Sequence, residues 1–84
     1  MRPRKEIEGF RNKSGYEFRD ISNERVREYH FMDRILRIDE PLALYISESG
    51  GQRIISKRGR CLYIPSTYLW IEWRCYEDKP HFTY

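Results

Sequence analysis

Eighty-four residues, of which 39% are hydrophobic and 15% aromatic, make one small domain near the lower end of what a single core can stabilise. The net charge of +3 is smaller than a dedicated duplex-DNA binder normally carries. Two cysteines without a C-x-x-C spacing make neither a disulfide framework nor a zinc site, and no apolar run approaches the roughly 20 residues of a membrane span.

Residues 1–15 are polar and basic, with Pro3, Gly9 and Gly15 and only Ile7 and Phe10 to bury, which predicts a flexible N-terminal arm. Met1-Arg2-Pro3-Arg4-Lys5 is not followed by the apolar stretch of a signal peptide, so the cytoplasm is the expected compartment. Residues 16–84 then read as a single β domain. Tyr16 to Ile21 alternates as a short strand, and Ser22-Asn23-Glu24 reads as a turn or a helix cap.

Residues 25–38 admit two readings. As a short helix around 23–32 and beyond, Val26, Tyr29, Met32 and Leu36 form one stripe, but Phe31 and Ile35 face water. As a hairpin, Arg27, Tyr29 and Phe31 alternate with Glu28 and His30, and Met32-Asp33-Arg34 turns the chain. The hairpin is favoured because it strands fewer apolar residues and a strand follows at once from Pro41.

From Pro41 to Tyr76 the turns are written between the strands. Leu42, Leu44 and Ile46 alternate with Ala43, Tyr45 and Ser47. Gly50-Gly51 breaks the run, Arg53-Ile54-Ile55 resumes it, and Arg58-Gly59 turns it again. Cys61 to Ile64 leads to a bend at Pro65-Ser66-Thr67. Leu69, Ile71, Trp73 and Cys75 then lie on one side, with Trp70, Glu72, Arg74 and Tyr76 on the other. Phe82 and Tyr84 suggest a last edge strand. The predicted fold is mainly β: a small antiparallel curled sheet or partly open barrel of about five or six strands. Its expected core is Leu42, Leu44, Ile46, Ile54, Leu62, Ile64, Leu69, Ile71 and Trp73.

Reactive groups are few. Gly50-Gly51 lacks the surroundings of a phosphate loop and is read as a hairpin turn. His30 and His81 are the only histidines, each with a carboxylate nearby in sequence, Glu28 and Asp78. Metal binding would require further ligands placed by the fold, and the spacing supplies none, so both are read as surface or edge residues. Cys61 and Cys75 alternate onto opposite faces, which predicts free thiols. Nothing supports a nucleophile with its base. The expectation is a protein without catalytic residues, metal or cofactor.

Charge is uneven, with +3 over residues 1–13 and +4 over residues 53–60. Arg53, Lys57, Arg58 and Arg60 accompany Tyr63, Trp70 and Tyr76, a combination that suits stacking on unpaired bases beside phosphates. Exposed Trp, Tyr and Arg are equally the makings of a protein–protein hot spot. The plainest reading is that the charges solubilise a tight hairpin and blunt a sheet edge. The hot spot is favoured, with Trp70, Tyr76, Arg53, Lys57, Arg58 and Arg60 as the partner-binding residues and nucleic acid as the alternative.

The strings R-E-Y-x-F (Arg27 to Phe31), P-L-A-L (Pro41 to Leu44), S-x-S-G-G-x-R (Ser47 to Arg53) and Y-I-P (Tyr63 to Pro65) before I-E-W (Ile71 to Trp73) resemble a class of small, uncharacterised bacteriophage and prophage proteins. The resemblance covers residues 27–73 and rests on turn and core positions. It implies a non-enzymatic accessory protein that binds and modulates a host or viral macromolecule in the bacterial cytoplasm. Such proteins often carry His-Arg after the glycine pair. This chain has Gln52-Arg53, so no histidine role carries over there.

Overall fold

Period-two alternation becomes strand along most of the chain. In the computed structural model, which describes residues 17–78, seven strands follow one another. They are β1 (Arg19–Asp20), β2 (Glu24–His30), β3 (Ile35–Asp39), β4 (Pro41–Ile46), β5 (Gln52–Ser56), β6 (Cys61–Ile64) and β7 (Trp70–Cys75), with a 3-10 turn at Tyr76–Asp78. The basic arm and the strand expected around Phe82 and Tyr84 lie outside the described residues.

Every pairing is antiparallel, as expected, but the strands divide between two sheets, β1-β4-β5-β6 and β3-β2-β7, and do not close into a barrel. Two breaks in the chain cause the division. Pro65 ends β6, and β7 crosses over to pair with β2. At the β3–β4 corner Glu40 takes a φ of 52°, a region that non-glycine residues seldom adopt. Three elements hold it there. Its N–H donates to the Arg25 carbonyl at 2.8 Å, and its carbonyl accepts from Lys57 N–H at 2.9 Å. Its carboxylate accepts a longer bond from the Tyr76 hydroxyl, 3.4 Å.

Residues 25–38 form the hairpin, and the alternative helix around 23–32 is replaced by β2. Phe31 N–H donates to the Arg34 carbonyl at 2.8 Å to close the turn. Tyr29 and Ile38 are fully buried, so the hairpin buries what a helical stripe would have divided between two faces.

The main core gathers Ile21, Tyr29, Ile38, Leu44, Ile54 and Ile64, with Ile46, Leu62 and Ile71 packed against it. A second cluster joins Phe18, Leu42 and Ala43. Three parts of the expected core are corrected. Leu42 does not share a cluster with Leu44, because the β4–β5 register shifts between Pro41 and Ala43. Leu69 is 57% exposed, since it belongs to the crossover before β7. Trp73 is only half-buried, although it lies on the inner face beside the buried Arg27, as alternation expects.

A buried polar chain links the sheets. Arg27 Nη1 donates to Glu24 Oε2 at 2.7 Å and Arg27 Nε to the Tyr29 hydroxyl at 3.0 Å, all three residues fully buried. The Tyr29 hydroxyl donates to Gln52 Oε1 on β5. Gln52 Nε2 donates to the Tyr68 hydroxyl at 3.2 Å, and Tyr68 donates to the Gly50 carbonyl at 2.8 Å. The Arg27 guanidinium also lies 4.7 Å from the Trp73 ring centroid. Alternation would place Glu24 and Arg27 on opposite faces. The β-bulge between Glu24 and Val26 changes that parity and turns both inward.

Removing one partner of a buried ion pair leaves the other charge uncompensated. Arg27→Ala should therefore lose about 3–5 kcal/mol in urea unfolding, and Arg27→Met combined with Glu24→Leu should lose less than Arg27→Ala alone.

Burial pushes the Tyr29 phenol up to about 12, with Arg27 pulling in the opposite direction. The folded state thus holds this proton more tightly than the unfolded chain does. Its contribution is intact below pH 10 and falls away as the pH rises towards 12, a loss of about 3 kcal/mol at most. Unfolding free energies measured from pH 9 to 12 should show this decline, and Tyr29→Phe should flatten it.

Candidate functional site

The predicted binding residues do not form one footprint. Trp70 opens β7 and stacks on His30 of β2, with ring centroids 4.3 Å apart and planes 14° from parallel. His30 is in register with both Trp70 and Ile35, so Ile35, His30 and Trp70 make a row across the outer face of the three-stranded sheet. The β2–β3 turn and the crossover into β7 meet at the same end, where Leu69 N–H donates to the His30 carbonyl at 2.7 Å. Met32, Ile35, Leu69 and Trp70 are each more than half exposed, and the Arg34 guanidinium lies 5.0 Å from the Phe31 ring centroid. This end is aromatic and aliphatic.

Tyr76 lies past the other end of β7, about 20 Å further along the strand direction. Partial desolvation and then the Glu40 carboxylate raise its phenol above the usual range. The predicted basic turn adjoins the same corner, with Gly59 at φ 86° and Ser56 N–H donating to the Arg60 carbonyl at 2.9 Å. A groove there is lined by Arg25, Arg37, Asp39, Glu40, Ser56, Arg58 and Arg60. The fold therefore brings Tyr76, Lys57, Arg58 and Arg60 together and leaves Trp70 apart. Arg25 and Arg37 join this group from the other sheet, and no local sequence signal marks them.

Arg53 stands alone of the predicted set. It sits on β5 with its guanidinium 4.9 Å from the Tyr63 ring centroid. The same tyrosine bears on one of the two turn glycines. Gly50 has the expected positive φ, 93°, whereas Gly51 does not, and a Cβ at Gly51 would meet the Tyr63 hydroxyl and oblige that half-exposed side chain to shift.

Between the two ends lies a cluster that the sequence half disclosed. Glu28 was visible beside His30, and the β2–β7 register adds Glu72 directly opposite Glu28. His30 Nε2 stands 3.2 Å from Glu28 Oε1 and 3.7 Å from Glu72 Oε1. The second oxygens face arginines: Arg37 Nη1 is 3.7 Å from Glu28 Oε2, and Arg74 Nη2 is 3.8 Å from Glu72 Oε2. Neither cysteine is in a disulfide; Cys61 is exposed in the four-stranded sheet and Cys75 half-buried in the other. Among the described residues no helix is long and apolar enough to cross a membrane. Compared with protein-family models, with curated proteins and with solved structures, the chain matches none.

Proposed function

We propose that this is a non-enzymatic protein-binding module whose contact surface is the aromatic end of the three-stranded sheet. The row Ile35–His30–Trp70, extended by Leu69 and Met32, carries the reading. Large apolar side chains exposed side by side are uncommon on a monomer's surface and mark interaction sites. Trp is the residue most enriched at binding hot spots, and Arg34 at the rim supplies charge for steering. The resemblance to bacteriophage and prophage proteins makes a host or viral protein in the bacterial cytoplasm the first partner to seek.

Capture from nuclease-treated bacterial lysate with the tagged full chain should yield a stoichiometric protein partner. Trp70→Ala should weaken its binding by about 2 kcal/mol or more, roughly thirtyfold, without loss of fold. Charge reversal at Lys57 and Arg58 should have a much smaller effect. A partner indifferent to Trp70→Ala would sink this placement.

The groove lined by Arg25, Arg37, Arg58 and Arg60 favours a second reading, single-stranded nucleic acid held through its phosphates beside Tyr76. If Arg25, Arg58 and Arg60 each meet one phosphate, the affinity for an oligonucleotide should fall with salt at a log–log slope of about −2. Arg58→Glu should then reduce both affinity and slope, while Trp70→Ala leaves them unchanged. A salt-independent affinity excludes this reading.

A further inference from the structure

We propose that Glu28, His30 and Glu72 bind a divalent first-row transition ion of the zinc class. The three ligand atoms, one imidazole nitrogen and two carboxylate oxygens, lie within 4.8 Å of one another. Two ligands at about 2.0–2.1 Å from a tetrahedral zinc ion are about 3.3–3.4 Å apart. The distances from His30 Nε2, 3.2 Å to Glu28 and 3.7 Å to Glu72, bracket that separation, so small side-chain rotations complete the donor set.

Three features beyond proximity point to a cation. Glu28 and Glu72 face each other in the antiparallel register, where like charges repel. Each carboxylate is divided in function: Oε2 is turned to an arginine, Arg37 or Arg74, and Oε1 to the imidazole. At 3.7 and 3.8 Å these are ion pairs without a hydrogen bond, and they leave one oxygen of each carboxylate on the imidazole side. The Trp70 stack fixes the ring that presents Nε2. An imidazole joining the two carboxylates has a single Nε2 proton to give, whereas a metal ion meets all three donors at once.

One nitrogen with two carboxylate oxygens suits zinc, cobalt, nickel or copper, and is less suited to calcium or magnesium, which take oxygen ligands throughout. Three protein donors leave a further position open, and the half-exposed Glu72 places it towards solvent. The inference does not depend on the protein-binding reading.

The test uses the full chain, with zinc followed by calorimetry and nickel by tryptophan emission. Trp70 stacks on the proposed ligand, so bound paramagnetic nickel should quench it. The expected result is saturable quenching at one equivalent, reversed by excess zinc, with one zinc site in calorimetry. His30→Gln and Glu72→Gln should each weaken zinc binding at least tenfold with unchanged far-ultraviolet circular dichroism, and the surface position of Glu72 makes its variant a safe second probe. His81→Ala and Cys61→Ser should leave binding unchanged. The proposal is overturned by the absence of a saturable site, by binding that survives both Gln substitutions, or by binding lost in His81→Ala or Cys61→Ser. It is equally overturned if saturating nickel leaves tryptophan emission unchanged.

Discussion

The buried pair of Arg27 and Glu24 constrains everything around it. Removing two charges from water is costly, and their attraction offsets this better where further hydrogen bonds add to it. Here a chain of hydrogen bonds runs from Arg27 to Tyr29, Gln52, Tyr68 and the Gly50 carbonyl, and so from the three-stranded sheet to the four-stranded one and the crossover. A slip of one residue in β2 would turn Arg27 and Tyr29 to solvent and leave Gln52 buried without Tyr29. Hydrophobic burial could be satisfied by several arrangements of two small sheets. The polar chain is satisfied by far fewer.

The outer face of the sheet follows from this inner one. With Arg27 and Tyr29 turned inward, alternation obliges Glu28 and His30 to face outward. The same rule on β7 turns Ile71 and Trp73 in and Trp70 and Glu72 out. The stacked His30–Trp70 pair and the facing carboxylates are thus the outward image of the buried network. The β2 bulge lies upstream of both, so one irregularity sets the register on which both faces depend.

Much of this was legible in the sequence where the chain obeys a simple period. Leu69 to Tyr76 separates Trp70 from Trp73 without error, and the turn residues around Gly50 and Gly59 mark two hairpins. Legibility fails at the exceptions. No pattern reveals that a bulge brings Glu24 to the side of Arg27, or that another separates Leu42 from Leu44. Leu69 fits the alternation of β7 yet lies before the strand begins. The meeting of Glu72 with His30 depends on β7 leaving its neighbour β6 for β2, and that of Arg25 and Arg37 with the basic turn depends on the Glu40 corner. Both are long-range arrangements that local windows do not contain. The proposed contact surface shows both sides of this: Trp70 was visible as an exposed aromatic, while its neighbours Ile35 and Met32 were not singled out.

The aromatic end also shows why exposure alone does not identify an anchor. Met32 is 87% exposed, more than any other large hydrophobic residue among those described, but its unbranched side chain loses rotamer freedom when a partner immobilises it. Trp70 is 54% exposed, with one ring face stacked on His30. Its torsions are already restricted by that stack, and the remaining face is available at little further entropic cost. His30 is in turn positioned by Glu28 and Glu72, whose outer oxygens face Arg37 and Arg74. Rigidity thus passes from the hydrogen-bonded Glu28 carboxylate to the imidazole and from the imidazole to the indole. A large apolar ring held in this way contributes more to binding than a longer, more exposed and mobile one.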